Sequence, residues 1–343
     1  MNTTANSPRS ARGLWFTAAR HAELRDEEIR EPTGNEVCVR AVVSLVSAGT
    51  EILIYRGEGP DDDDLGIETC EGSFSFPIKY AYQVIGEVVA AGETARYAPG
   101  DLVFARHPHQ DFFTMRSDNW LMAKVPDGIE PDRAAFVNLL EVALNCHLDV
   151  PIRFGDCVVV YGQGVVGSLA AQLARRAAGT LIVVDPIPSR RETALAWGAD
   201  AAVDPSELKA AVEELSDGRG VDVSIEASGA GAALQSAIDT TGQEGTIAVM
   251  SFFGTRVVPL RLSPEFHYGR QRIISSQVSS LGSGLQPRWS FERRTAVSFG
   301  LLATPWLVTP VSHRLPFGRA PEAYQLLDTK PDEAMGILLV YPA

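Results

Sequence analysis

A chain of 343 residues that is 45% hydrophobic and 21% charged has the composition of an ordinary globular protein, and it is long enough for two domains. Its 43 acidic residues against 30 basic ones leave a formal charge of -13, which repels phosphodiester backbones and anionic lipid; nucleic acid and membrane are excluded as partners and a small molecule is favoured. Cys38, Cys70, Cys146 and Cys157 lie far apart and form no C-x-x-C pair, so neither a disulfide framework nor a structural zinc knuckle is expected, and the reading is a cytoplasmic chain with reduced thiols.

The opening "MNTTANSPRSARG" is polar and is expected to be a loose tail. From Leu14 to about Val150 the chain reads as short strands separated by turns, in "EVCVRAVVSLV", "QVIGEVVAAG", "GDLVFARH" and "NWLMAKVPDG". The run "DDDD", Asp61 to Asp64, lacks the alternating oxygen ligands and turn glycine of a calcium loop and is expected to be solvated. From Cys157 strands and helices alternate: strand "CVVVY", helix 165–178, strand "TLIVVD", helix 189–197, "AAVDP", helix 207–215, strand "VDVSIEAS", helix 232–240, then "GTIAVMSFFG" and "RIISSQV". That alternation predicts a doubly wound α/β fold on a parallel sheet. Gly179 is expected to cap the first of these helices, and Asp204, Pro205 and Glu207 read as a capping box. The last part holds a helix in "WSFERRTAVSFGLLA", the stretch "WLVTPVSHRLPF", a helix in "APEAYQLLDT" and a closing strand "MGILLVY".

The stretch "VVVYGQGVVGSLAAQLARR" carries the first sign of function. Gly162, Gly164 and Gly167 match G-x-G-x-x-G between a strand and a helix. The first permits a tight turn, the second lets backbone approach a pyrophosphate, and the third lets helix and strand pack closely. The helix N-terminus, at Val165 and Val166, presents N–H groups to the phosphates. Asp185 stands 18 residues beyond Gly167 at the next strand end, close to the interval of roughly 20 expected for a carboxylate that bonds ribose hydroxyls. Its plainer, less favoured reading is a helix N-cap, and the two roles are compatible. A carboxylate there repels a 2′-phosphate and favours NAD over NADP. Arg190 and Arg191 pull the other way, since an arginine accepts that phosphate or stacks on adenine.

A β-rich first half, a central dinucleotide fold and a C-terminal return, with "GDLVFA", "VPDGI", "GQGVVG" and "ALAWGAD" in that order, resemble the medium-chain dehydrogenase/reductase superfamily over nearly the whole chain. The resemblance implies a Rossmann NAD-binding domain, residues 151–280, inserted into a GroES-like β-barrel catalytic domain made of residues 1–150 and a C-terminal return, 281–343. The active site would lie in the cleft between them, and Ser228, Ser251 and Ser276 would join the cofactor site. The edge-strand likeness of "RIISSQV" implies a homodimer. "SLVSAGTE" and "IISSQV" are most similar to a small group that includes a bacteriochlorophyllide side-chain alcohol dehydrogenase.

The sequence departs from that family where its zinc enzymes hold their metal. The family's C-G-x-D-x-H loop is here "AGTEIL", with Ala48 at the cysteine, Glu51 at the acidic position and Leu53 at the histidine; its G-H-E loop is Ala81, Tyr82 and Gln83. Only Glu141, in "NLLEVALNC", matches a position used as a ligand in some members, and one carboxylate does not make a catalytic zinc site. No metal is therefore expected. The proton chemistry is expected to fall to Thr50, Glu51, Tyr82, His107 and Glu141. Four of these have a plainer reading: Thr50 as a turn hydroxyl, Tyr82 as a filler, Glu141 as a structural partner, and His107 with His109 as members of a surface turn in "HPHQD". His107, His109 and Asp111 as a metal cluster lack geometric support. The expected function is NAD(H)-dependent, zinc-independent hydride transfer to or from a secondary alcohol, polyol or ketone. The alternatives are an ene-reductase or quinone reductase, an epimerase that retains its NAD, and a non-catalytic dinucleotide-binding protein.

Overall fold

The computed structural model describes residues 9–60 and 67–342. The first eight residues of the expected tail and the "DDDD" run lie outside the described residues. The chain divides into two compact units, one of residues 1–138 with 311–343 and one of residues 139–310.

The first unit is antiparallel β. At its centre is Glu36–Leu45, which pairs with Val84–Ala91, with Phe112–Arg116 and, from the far end of the chain, with Ile337–Val340. Val37, Val39, Ala41, Val84, Val88 and Phe113 meet in its core, which is what the apolar alternation along these strands requires. Phe16 packs edge-on to Tyr55 and Tyr324, with ring centroids 5.8 and 4.9 Å away. The helix Ala320–Thr329 buries Tyr324 and Leu327 in this core, so the C-terminal return is part of the unit's interior. A smaller sheet runs in the order His21–Ile29, Arg9–Ala18, Ile78–Lys79, Glu71–Gly72. Its second strand corrects the expected tail: from Arg9 onward those residues are paired, Ala11 with Glu27 and Gly13 with Arg25, and Ala11 is buried.

The second unit holds the expected parallel sheet. Its order is Ala201–Val203, Thr180–Val184, Cys157–Tyr161, Val221–Glu226, Thr241–Val249, Arg272–Ser275. Cys157–Tyr161 is buried throughout, as a central parallel strand must be. The order reverses beside it, between Cys157–Tyr161 and its other neighbour Val221–Glu226, which is where such sheets bind ligands. The helices run Val165–Ala174, Pro188–Ala196, Leu208–Leu215 and Gly231–Thr240.

Several local readings change. Gly179 does not cap a helix: a Cβ there would stand 2.7 Å from Gly155 Cα, so the glycine serves a close backbone approach. The capping box survives in part, since Asp204 N donates to Glu207 Oε2 at 3.1 Å, but the helix starts one turn later than Pro205 implies, at Leu208. Residues 281–310, expected to return to the first unit, pack with the second. There Phe291–Leu302, capped by Ser290, buries Arg294, Thr295, Ser298, Phe299 and Leu302. Arg294 Nη1 donates to Asn145 Oδ1 at 2.8 Å, which ties this helix to Val137–Asp149. Among the described residues no helix is long and apolar enough to cross a membrane.

Candidate active site and cofactor cradle

The glycine turn of the second unit is built as its spacing predicts. Gly162 has a φ of +89°, open to glycine and strained for other residues, and a Cβ on it would meet Ser228 at 2.8 Å. A Cβ on Gly167 would stand 1.9 Å from Gly162 O, so turn and helix are in backbone contact. Gly164, which precedes the helix Val165–Ala174, is different: nothing lies within 4 Å of where its Cβ would be. Open space at the N-terminus of a helix whose first N–H groups have no intrahelical partners is the shape that receives a phosphate.

Asp185 is buried, not at the exposed strand end its position suggests. Its Oδ2 accepts from Gln163 N at 2.7 Å and its Oδ1 from Ile187 N at 2.8 Å, so one carboxylate ties the glycine turn to the loop after Thr180–Val184. It is not the N-cap of the next helix, a place taken by Ile187. Arg190 Nη1 lies 3.7 Å from Asp185 Oδ2, and Arg191 Nη1 donates to Asp185 O at 2.6 Å. Ser228 and Gly229 wrap the end of Val221–Glu226: Glu226 Oε1 accepts from Ser228 N, Ser228 Oγ and Gly229 N at 2.8, 2.6 and 2.9 Å. Ser251 Oγ accepts from Gly229 N at 2.8 Å. Ser276 Oγ is turned to Asp149 Oδ2, 2.8 Å away. The turn, the helix end, Asp185 and the serine loops fit a dinucleotide. Glu141 also belongs to this unit, where Thr295 Oγ1 donates to its Oε1.

In the first unit the segment 47–51 and Tyr82 form one hydroxyl-rich cluster. Tyr82 and Ser47 share a hydrogen bond, Oη to Oγ at 2.7 Å, and the Thr50 hydroxyl also bonds Tyr82. Burial and then the nearby charge of Glu51 push the Tyr82 phenol up to about 12, against the pull of the Ser47 and Thr50 hydrogen bonds. Tyr82 is therefore protonated at neutral pH. Thr50 precedes the helix Glu51–Arg56 without a side-chain capping bond, so its hydroxyl is not consumed by the turn. Glu51 is fully buried: its Oε1 accepts from Ser47 N at 2.9 Å, and its Oε2 accepts from Tyr324 Oη at 2.5 Å and meets His109 Nε2 at 3.1 Å.

The string "HPHQD" is not a surface turn, because both histidines are buried. His107 stacks on Phe113 at 3.9 Å and donates from Nδ1 to Pro108 O at 2.9 Å. Burial, then the charge of Lys79, lowers its pKa to about 3, so it is neutral at physiological pH with its lone pair on Nε2. Asp111 Oδ1 instead accepts from Arg12 N and Phe112 N, at 2.7 and 2.9 Å. His107, His109 and Asp111 thus have three separate sets of partners. Ala48 and Tyr82 put no thiolate or imidazole where the zinc enzymes have them, and among the described residues no group of three His, Cys, Asp or Glu side chains is placed to hold a metal ion. Among the described residues, the side chains at these positions do not supply the three ligands of a catalytic zinc. Sequence reading passed over Ser47 and Tyr324. A serine one residue from the end of an apolar strand run and a tyrosine at an apolar helix position carry no pattern signal of their own, since their partners are remote in sequence.

A parallel sheet with a glycine-turn cradle, joined in sequence to an antiparallel unit that carries a hydroxyl cluster, defines a nucleotide-dependent oxidoreductase. Residues 165–291 match the zinc-binding dehydrogenase family. The D-guloside 3-dehydrogenase of Shigella flexneri is 30% identical, over 94% of this chain and 97% of its own. The sorbitol dehydrogenase of Halalkalibacterium halodurans is 32% identical over 63% of this chain and 60% of its own. Among solved structures, the 2R,3R-butanediol dehydrogenase of Bacillus subtilis superposes with a TM-score of 0.79 at 19% identity, covering 97% of this chain and all of that one (100%). The chain belongs to the medium-chain dehydrogenase/reductase superfamily, in its zinc-type alcohol dehydrogenase-like branch. It is an oxidoreductase of that family with a nicotinamide cofactor, built as a Rossmann unit inserted into a GroES-like one.

Proposed function

We propose that this chain oxidises a secondary hydroxyl of a polyol or glycoside to a ketone, and reduces the ketone in reverse, with NAD(H) and without a catalytic zinc. The observation that carries the reading is the Ser47–Thr50–Tyr82 hydroxyl cluster, whose Tyr82 occupies the position that the family resemblance gives to a histidine ligand. In reduction, Tyr82 donates its proton to the carbonyl oxygen while the nicotinamide, when bound, supplies hydride; Thr50 and Ser47 hold the developing alkoxide by hydrogen bonding. In oxidation the proton runs back along the same bonds. His107 offers a neutral Nε2 acceptor to a further substrate hydroxyl. Glu141, engaged with Thr295, acts as a structural partner. The substrate class follows the relatives named for guloside and sorbitol, and it suits a site rich in hydroxyl groups.

The test is a panel. Purified chain is assayed with NAD against polyols and hexosides, and with NADH against the matching ketones, quinones and activated alkenes, before and after dialysis against a chelator. Ketone formation that survives chelation is the expected result. Activity lost with a stoichiometric zinc and restored by it overturns the zinc-free mechanism, and turnover confined to alkenes or quinones overturns the substrate class.

A further inference from the structure

The polar groups behind Tyr82 form a chain longer than the reaction needs. From Glu51 it passes to His109, whose Nδ1 lies 2.7 Å from Ser44 Oγ, and from Ser44 to Tyr341 Oη, 2.9 Å further. Glu51, His109 and Ser44 are at most 1% exposed, and Tyr324 is fully buried. The members come from the central strand, the 47–51 turn, the 107–111 segment, the C-terminal helix and the residue after the last strand. Such a network is costly to keep in a core, because each group needs its partner and an apolar filling of equal volume packs as well. A core that only had to be stable would not need it.

Its directions are set by chemistry. A carboxylate oxygen accepts, so Tyr324 Oη and Ser47 N donate to Glu51, and His109 Nε2 carries the proton it shares with Oε2. Fixing Glu51 fixes Ser47 through its N–H, and Ser47 Oγ holds the Tyr82 hydroxyl. We propose that His109 is a positioning residue for the Tyr82 hydroxyl, acting through Glu51 and the Ser47 turn, with Ser44 and Tyr341 holding the far side of its ring. Protein groups here do the ordering that a bound metal does in zinc-dependent relatives. The inference rests on the reading of Tyr82 as the proton donor. The Glu51 charge that His109 and Tyr324 share is one of the causes that hold Tyr82 protonated. Its own Tyr324 and Tyr341 are raised by burial, and the other titratable groups facing the network are Cys70 and Tyr80, also raised by burial, together with His107, Lys79 and Asp111.

Two measurements on the full chain test it. Nitrogen NMR of labelled histidines, with the His109 signals identified by their loss in His109→Gln, reads which ring nitrogen carries a proton and needs no substrate. A protonated Nε2 is expected. Kinetics on the polyol with the highest rate in the panel then compare His109→Phe, His109→Gln and Ser44→Ala. His109→Phe is expected to lower kcat by about 10- to 100-fold, as loss of an outer partner does, with KM for NAD unchanged and the alkaline limb of the oxidation profile moved to higher pH. His109→Gln, which keeps a donor for Glu51, should recover most of the rate. Ser44→Ala, a small change that leaves the core filled, should move the limb the same way by a lesser amount, so the role stays testable if the phenylalanine variant does not fold. An unprotonated Nε2, or folded variants with wild-type kcat and an unmoved limb, overturn the positioning role. Full activity in Tyr82→Phe is the separate result that sinks the acid–base reading beneath it.

Discussion

At the scale of single residues, if Tyr82 carries the proton as proposed, its environment decides how the rate depends on pH. Its phenol titrates near 12 because burial and the Glu51 charge disfavour the phenolate. In carbonyl reduction the protonated form is the active one, so kcat/KM for a ketone should stay level across neutral pH. Alcohol oxidation needs the deprotonated form, so its kcat/KM should climb as pH rises toward 12 and reach no plateau near neutrality. Steady-state profiles in both directions check this, and an oxidation plateau starting below about pH 8 would assign the proton to another group. Tyr82→Phe should cost about 100-fold in kcat. The proposed part of Asp185 in cofactor choice is tested at the same local scale. Because its two oxygens also hold Gln163 N and Ile187 N, Asp185→Ser loosens the turn for either cofactor, and the informative quantity is the ratio of affinities. Calorimetric titration should show NAD preferred by the wild type and the ratio moving toward NADP in the variant. Tighter wild-type binding of NADP would show that Arg190 and Arg191 outweigh the carboxylate.

At the scale of elements, the glycine turn separates what the fold needs from what the ligand needs. Gly167 is fixed by the fold: a methyl group would stand 1.9 Å from Gly162 O and 3.3 Å from Ala227 Cβ, with no flexible side chain to yield. Gly167→Ala should therefore lose about 2 kcal/mol or more of stability in urea unfolding. Gly164→Ala meets no atom within 4 Å and should unfold at the wild-type urea concentration, yet weaken NAD binding by tenfold or more, because its methyl group takes the space left for the phosphate. Equal NAD affinity in that variant would move the phosphate site elsewhere. This turn was readable in the sequence because its parts are consecutive and its spacing has one physical meaning. So were the parallel strands, whose buried runs Val158–Val160 and Leu181–Val184 leave no other assignment. What stayed hidden depends on contacts between remote residues. The strand at Arg9–Ala18 is carried by pairing with His21–Ile29, not by its own polar sequence. The place of Phe291–Leu302 follows from Arg294 meeting Asn145, and the burial of "HPHQD" from Glu51 and Phe113 lying opposite its two rings.

At the scale of the whole molecule, the parallel sheet leaves an edge to be accounted for. Among the described residues Arg272–Ser275 is hydrogen-bonded on one side only, to Thr241–Val249, and Ile273 on it is 37% exposed. Such an edge presents unpaired N–H and C=O groups beside apolar side chains, and natural sheets cover it or mark it with charge. Arg272 is one charge at the start of the strand, and Ile273 and Ile274 follow it without another. We propose that a second copy of this chain covers the edge, with the same patch used by both copies about a twofold axis. Each copy carries a formal charge of -13, so association works against a long-range repulsion that salt screens. Light scattering at micromolar concentration should give twice the 37.0 kDa chain mass, and the dimer should tighten as ionic strength rises from low values. Ile273→Lys places a like charge on each copy at the contact and should yield monomers whose NAD affinity is unchanged, since the glycine turn and Asp185 lie on other strands. A single-chain mass at every concentration and salt would show that the edge is left open, and a dimer that persists in Ile273→Lys would place the contact on another surface.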